Sequence, residues 1–284
     1  MYFLVNLAMT LSERNALFKV GIVFCALSAL LILAASFFIV PLYSSLEENT
    51  FRPTGFFNLI ASRFMDADYL SVHISLVMMV LFSLVGIILV YSFFEQTSAP
   101  EILYIAFFII SFSFETVRLI LPLYLLFDIP SFYLLTASRI LFFTRYFGFF
   151  SLFAAGIYAA GLDMQEARYV IMVLFIAALA ITFSTPIDTQ RWDTSLNIIM
   201  KYNSISRLIE IAAFFTTVIS FFIAVNIRSS KEYAYIGIGA ILALTGRYLL
   251  ISSDNWVFPA PGILMLSLGT WFVCSKLHKI NLWL

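Results

Sequence analysis

Long apolar runs separated by short polar stretches recur along the chain at lengths suited to membrane-crossing helices. A span needs about 20 mostly apolar residues to cover about 30 Å of hydrocarbon. Eight segments meet that length: 18–42, 70–93, 102–124, 134–161, 168–186, 207–227, 233–252 and 261–277. Their apolar character is continuous rather than alternating, which points to helices rather than barrel strands. The expected fold class is all-α, a single polytopic membrane domain over residues 1–284. The fourth segment leaves two options, because Phe142–Leu162 alone suffices to cross, with Pro130–Leu141 then lying on the outer surface.

An even number of spans puts both termini on one side. Placing them in the cytoplasm gives that side Arg14, Lys19, Arg168, Arg228, Lys231, Lys276 and Lys279, all in or beside short loops. The other side holds Arg52, Arg63, Arg191, Lys201 and Arg207, spread over two long loops, where the positive-inside rule counts least. Acids lean outward, with Glu47, Glu48, Asp66, Asp68, Asp128, Asp188, Asp193 and Asp254 on that side. The expectation is an inner-membrane protein with cytoplasmic N- and C-termini.

The two halves share a weak pattern. Phe38–Pro41 ends the first span as Phe183–Pro186 ends the fifth. Each is followed by an outer loop with an amphipathic stretch, Phe56–Ile60 in one copy and Leu196–Met200 in the other. Tyr69-Leu70-Ser71-Val72 then opens span two, as Tyr202-Asn203-Ser204-Ile205 opens span six. Thr116-Val117-Arg118 in span three is matched by Thr245-Gly246-Arg247 in span seven, and Pro130 and Pro259 follow at equal distance. Two parallel four-helix repeats, 18–161 and 168–277, would produce this order.

Arginines inside the spans stand out most. Arg118, Arg139, Arg145 and Arg247 interrupt runs of Leu, Ile, Phe and Ala, where a lone charge costs about 2.5–3.5 kcal/mol on insertion scales. Helical rise puts Arg118 and Arg247 in the outer third, level with His73 and Glu210. Glu115 precedes Arg118 by one helical turn and can pair with it. Arg139 and Arg145 lie about 120° apart on an ideal helix. They do not point at one site, so at least one is expected to snorkel towards headgroups. Two readings follow: structural pairing and snorkelling, or an outward-facing anion pocket. In the second, Arg118, Arg247 and Arg139 offer planar forks to carboxylate or phosphate oxygens. Glu115 and Glu210 only partly balance them, and Tyr69, Tyr202 and Tyr248 add hydroxyl donors, with His73 at the same level.

Composition narrows the function classes. The chain is 62% hydrophobic and only 11% charged, against about 25% charged in a soluble domain, so lipid is its expected solvent and partner. Acidic and basic residues number 16 each, which gives no polybasic tail for nucleic acid. No long polar stretch is available for a soluble catalytic domain. The N-terminus lacks a basic region and cleavage site, and Met1–Leu11 reads as a short apolar segment on the inner surface. Cys25 and Cys274 read as small hydrophobes within helices rather than a disulfide. His73 and His278 fall on opposite sides, so neither a haem nor a histidine metal site is expected. The lysines lie in loops or at span ends, and hydrolase, zinc-protease, P-loop and redox-dithiol motifs are missing. Asp66-Ala67-Asp68 reads as solvated loop acids, and Gly239, Ala243 and Gly246 as a packing stripe.

The sequence therefore predicts a non-catalytic protein without cofactor or metal. It would bind an anionic small molecule or lipid headgroup from the outer side, as a sensor or as a membrane subunit with a protein partner. The alternative is a small secondary transporter for an anionic substrate. Transport normally uses broken helices or midplane ionisable groups, and no span carries a central glycine or proline break.

Overall fold

A computed structural model describes residues 10–46, 68–97, 99–127, 129–161, 167–193, 195–200 and 203–282. Its helices are α1 (Leu11–Leu46), α2 (Tyr69–Phe94), α3 (Pro100–Ser111), α4 (Ile120–Phe127), α5 (Ser131–Ala159), α6 (Ala167–Ser184), α7 (Asn203–Arg228), α8 (Glu232–Ile251) and α9 (Pro259–Leu282). Eight helical spans are long and apolar enough to cross a membrane, α3 and α4 together forming the third. The chain is an all-α polytopic membrane protein. The segment Met1–Leu11, apart from its last residues, the stretch Phe56–Ile60, and Tyr202 lie outside the described residues.

Local signals set the helix starts. Thr10 and Glu13 form a reciprocal capping box: the Thr10 amide donates to Glu13 Oε2 at 2.9 Å, and the Glu13 amide to Thr10 Oγ1 at 3.3 Å. This carries α1 back to Leu11, earlier than hydropathy alone expects. Asp68 caps α2 by accepting from the Leu70 amide at 2.7 Å. Pro100 opens α3, where its missing N–H costs nothing. The fourth span is one continuous helix, Ser131–Ala159, so no surface segment breaks off at Leu141.

Two expectations change. The third span is not a continuous α-helix: Phe112–Leu119 winds as a 3₁₀ segment between α3 and α4. Pro122 lies just beyond it and has no N–H to bond the Arg118 carbonyl four residues back, so the regular ladder is already broken there. Ser111, Ser113 and Thr116 donate their hydroxyls to carbonyls three residues back, at 2.6, 2.7 and 2.8 Å. Such back-bonding competes with the regular ladder. The tighter winding eclipses residues three apart, so Phe112, Glu115 and Arg118 share one row. The second change concerns Leu196–Met200, expected as an amphipathic stretch. Ile198–Met200 instead pairs antiparallel with Ile187–Trp192, making a small hairpin between α6 and α7.

Burial orders the bundle. The third span has 78% of its most apolar window buried, whereas the first and fifth have 22%. It is the central element, wrapped by α1, α2 and α5, with α8 and α9 packed as a close pair beyond them. The expected small-residue stripe makes that pair possible. A Cβ on Gly246 would lie 2.6 Å from the Gly262 carbonyl oxygen, and one on Gly239 2.9 Å from that of Gly269. The stripe thus serves packing within the chain.

The bundle has two ends. The terminal end carries Glu13 bound to Arg168 at 2.6 Å, and Glu232 bridging Lys276 and Lys279 at 2.9 and 3.0 Å. It also carries Arg14, which is only 5% exposed. That guanidinium caps the C-terminus of α2 by donating to the carbonyls of Phe94, Glu95 and Thr97. The hairpin end joins the two halves: the Trp256 indole donates to Asp68 Oδ2 at 2.5 Å, and the Asp68 amide to the Asp254 carbonyl at 2.8 Å. Asp68 is thus a structural cap rather than a free loop acid. Both cysteines are free thiols.

Gly246→Val should strike backbone that has no room to yield and lower stability by about 1–3 kcal/mol or more. Gly86→Ala would place its Cβ 3.0 Å from the Ile109 Cγ2 methyl rather than against backbone, and should lower the unfolding midpoint by much less. Thermal unfolding of both variants in one detergent checks the contrast.

Candidate ligand-binding site

Glu115 lies at the middle of the bundle, its side chain 2% exposed. Arg145 of α5 meets it as a fork, Nε donating to Oε1 at 2.7 Å and Nη2 to Oε2 at 2.6 Å. Arg118, eclipsed with Glu115 in the 3₁₀ segment, places Nη1 3.6 Å from Oε2. Arg247 arrives from α8 and donates Nη2 to the Arg145 backbone carbonyl at 2.8 Å. Its guanidinium lies over Phe149, 4.2 Å from the ring centroid, with Phe112 and Phe108 at 5.5 and 5.7 Å. Arg247 Nε and Nη1 are buried and meet no acceptor among the described residues. Gly148 makes room for this arrangement, since a Cβ there would stand 3.1 Å from Nη1. Three buried guanidiniums thus surround one carboxylate.

The hairpin closes over this cluster. Leu196 has the left-handed φ of 57° and is 3% exposed, packed with Val72, Leu121 and Leu134. A branched residue in that conformation persists only where its surroundings hold it. The turn is fixed by the Asp193 amide donating to the Asn197 carbonyl at 2.7 Å. It aims the Asn197 side chain at the cluster. Asn197 Oδ1 accepts from Arg145 Nη2 at 2.8 Å, while Nδ2 donates to Ser195 Oγ at 2.8 Å and to the Ile251 carbonyl at 3.1 Å.

Beside the hairpin lies a cavity of about 160 Å³. Arg145, Arg247, Asn197 and Phe149 line it, together with Glu210 and Ser206 of α7. The rim residues Arg207, Tyr248 and Ser252 are exposed, so the cavity opens at the hairpin end. Tyr146 Oη and Ser206 Oγ share a hydrogen bond of 3.0 Å at its wall. Glu210 is half-buried and interacts electrostatically with Arg145, Arg247 and Arg207. Among the described residues, no cation comes within 4 Å of its carboxylate. Arg118 lines a separate, water-sized pocket of about 10 Å³ with Leu121, Ser138 and Leu196.

Of the residues expected to form a site, Glu115, Arg118 and Arg247 converge, while Arg247, Glu210 and Tyr248 line the cavity. Tyr248 stands at its rim, 63% exposed. His73 lies elsewhere, sharing a 2.8 Å hydrogen bond with Ser36 of α1. Tyr69 packs against the Val72–Leu121–Leu134–Leu196 cluster. Arg139 neither snorkels nor joins the cluster. It donates to the carbonyls of Thr182 and Thr185 and lies 5.5 Å from the Phe183 ring, capping the C-terminus of α6. Arg145, the other candidate for snorkelling, is 8% exposed and faces the bundle. Sequence reading gave no signal for the Glu115–Arg145 pair, thirty residues apart, or for Asn197 and Arg207 as cavity residues. Among the described residues, no three His, Cys, Asp or Glu side chains are placed to hold a metal ion.

These features define a class: an all-helical, multi-pass membrane protein with a buried arginine–glutamate cluster beneath a surface cavity. The chain matches no family model, no curated protein and no solved structure.

Glu115→Gln removes the counter-charge of three buried guanidiniums and should cost about 3–5 kcal/mol, the scale for breaking a buried pair. Asn197→Ala removes a neutral hydrogen-bonding group and should cost only about 1–2 kcal/mol. Equal unfolding midpoints for the two variants would contradict this ranking.

Proposed function

We propose that the protein is a non-catalytic inner-membrane binder that takes an anionic small molecule or lipid headgroup into the cavity beside Arg247. Its role would be that of a sensor or of the membrane subunit of a complex. The single observation that carries this reading is Arg247, a buried guanidinium lining the cavity whose Nε and Nη1 meet no acceptor among the described residues. In a low-dielectric interior an under-bonded guanidinium is costly, and an anion entering the cavity would offset it. The donor set fits carboxylate or phosphate oxygens: guanidinium N–H groups with the Ser206 hydroxyl close by. The orientation follows from charge. Arg14, Arg168, Arg228, Lys276 and Lys279 cluster at the terminal end, which the positive-inside rule assigns to the cytoplasm. The cavity then opens to the non-cytoplasmic side.

A second reading, secondary transport of an anion, gains support from the 3₁₀ segment Phe112–Leu119, which interrupts the most buried span beside Glu115. Interrupted helices near ionisable groups are how transporters commonly build their sites.

Inorganic phosphate and propionate, titrated into the purified protein, should raise its unfolding midpoint by mass action. Arg247→Gln should abolish that rise, whereas Arg139→Gln, which alters only a helix cap, should lower stability and keep it. Loss of the rise in neither variant would refute binding at this cavity. Transport would instead show as phosphate or propionate uptake into proteoliposomes above that of protein-free vesicles.

A further inference from the structure

Resting on the anion-binding reading, we infer that the cavity's ligand is a small zwitterion, carrying an ammonium group as well as its anionic group. The cavity has walls of both signs. On one side stand Arg145 and Arg247, anchored through Glu115 and the Arg145 carbonyl. On another stands Glu210, a half-buried carboxylate with no cation within 4 Å among the described residues. A plain anion drawn to the arginines would be repelled by Glu210, which shares their electrostatic field. An ammonium on the same molecule turns that repulsion into attraction. The remaining lining suits the same ligand. Phe142, Phe149 and Tyr248 give the cavity an aromatic, largely apolar lining that suits a short carbon chain. Ser206, sharing a hydrogen bond with Tyr146, adds a hydroxyl to the lining. The volume of about 160 Å³ admits a short aliphatic chain between two charged groups. Such chemistry is shared by free amino carboxylates and by the phosphoethanolamine headgroup of a lipid.

The full chain, purified in detergent, is tested by thermal unfolding against β-alanine and phosphoethanolamine (both charges), propionate and phosphate (anion alone), and ethylamine (cation alone). The zwitterions should stabilise at concentrations at least tenfold lower than the matching anions, and ethylamine should not stabilise. This comparison needs no variant. Glu210→Gln should erase the tenfold advantage while keeping the response to the anions, and Arg247→Gln should remove both responses. Anions as effective as their zwitterionic counterparts would overturn the inference but leave anion binding standing. Silence from every probe would remove both. In nanodiscs, stabilisation by phosphatidylethanolamine over phosphatidylglycerol, with no further gain from the soluble probes, supports a headgroup ligand. A gain from the soluble probes in both disc types supports a free one.

Discussion

The bidentate contact between Glu115 and Arg145 is the constraint on which the rest of the structure depends. It joins the central span to α5 by two hydrogen bonds of 2.7 and 2.6 Å between fully charged groups. Neither group would be tolerated alone at that depth. Once the pair exists, its neighbours follow. Arg118 shares the same carboxylate because the 3₁₀ winding eclipses it with Glu115. Arg247 uses the Arg145 backbone and the ring of Phe149 rather than a carboxylate. The hairpin is pinned down because Asn197 completes the coordination of Arg145. One acid therefore organises four structural elements.

Elsewhere the arginines within or beside the spans do a different job. Arg14 at one end and Arg139 at the other each turn onto the free carbonyls of a neighbouring helix C-terminus. In lipid, those carbonyls have no water to accept from, and a cation there also faces the negative end of the helix dipole. The charges of this chain thus divide into two physical roles. One set satisfies backbone at helix ends, and the other meets around a carboxylate beneath a cavity. The under-bonded Arg247 that supports ligand binding belongs to the second set.

How much of this could be read from the sequence depends on whether the cause is local. The spans were legible because bilayer thickness imposes a length on each apolar run. The Thr10–Glu13 cap and the Glu115–Arg118 pair were within reach because their partners lie three residues apart. The Gly239–Ala243–Gly246 stripe was legible as a packing face because only small residues permit such close backbones. The Glu115–Arg145 pair was not, because it depends on how α5 is rotated about its axis, which packing sets and hydropathy does not. Arg139 was misplaced for the same reason: its acceptors belong to another helix. The 3₁₀ segment carries a signal after all, in the hydroxyls of Ser111, Ser113 and Thr116. Pro122, one turn beyond Arg118, is a second signal in the same span. Leu196–Met200 was read as amphipathic from composition, but its pairing with Ile187–Trp192 arises from the turn at Leu196.

The most direct test of the central claim is a double-mutant cycle on Glu115→Gln and Arg145→Gln, read as unfolding free energy in detergent. If the two side chains are one buried ion pair, the double variant is destabilised far less than the sum of the single variants, with a coupling of about 2 kcal/mol or more. Additivity within about 0.5 kcal/mol would mean that the two charges do not meet, and the cluster beneath the cavity would lose its anchor.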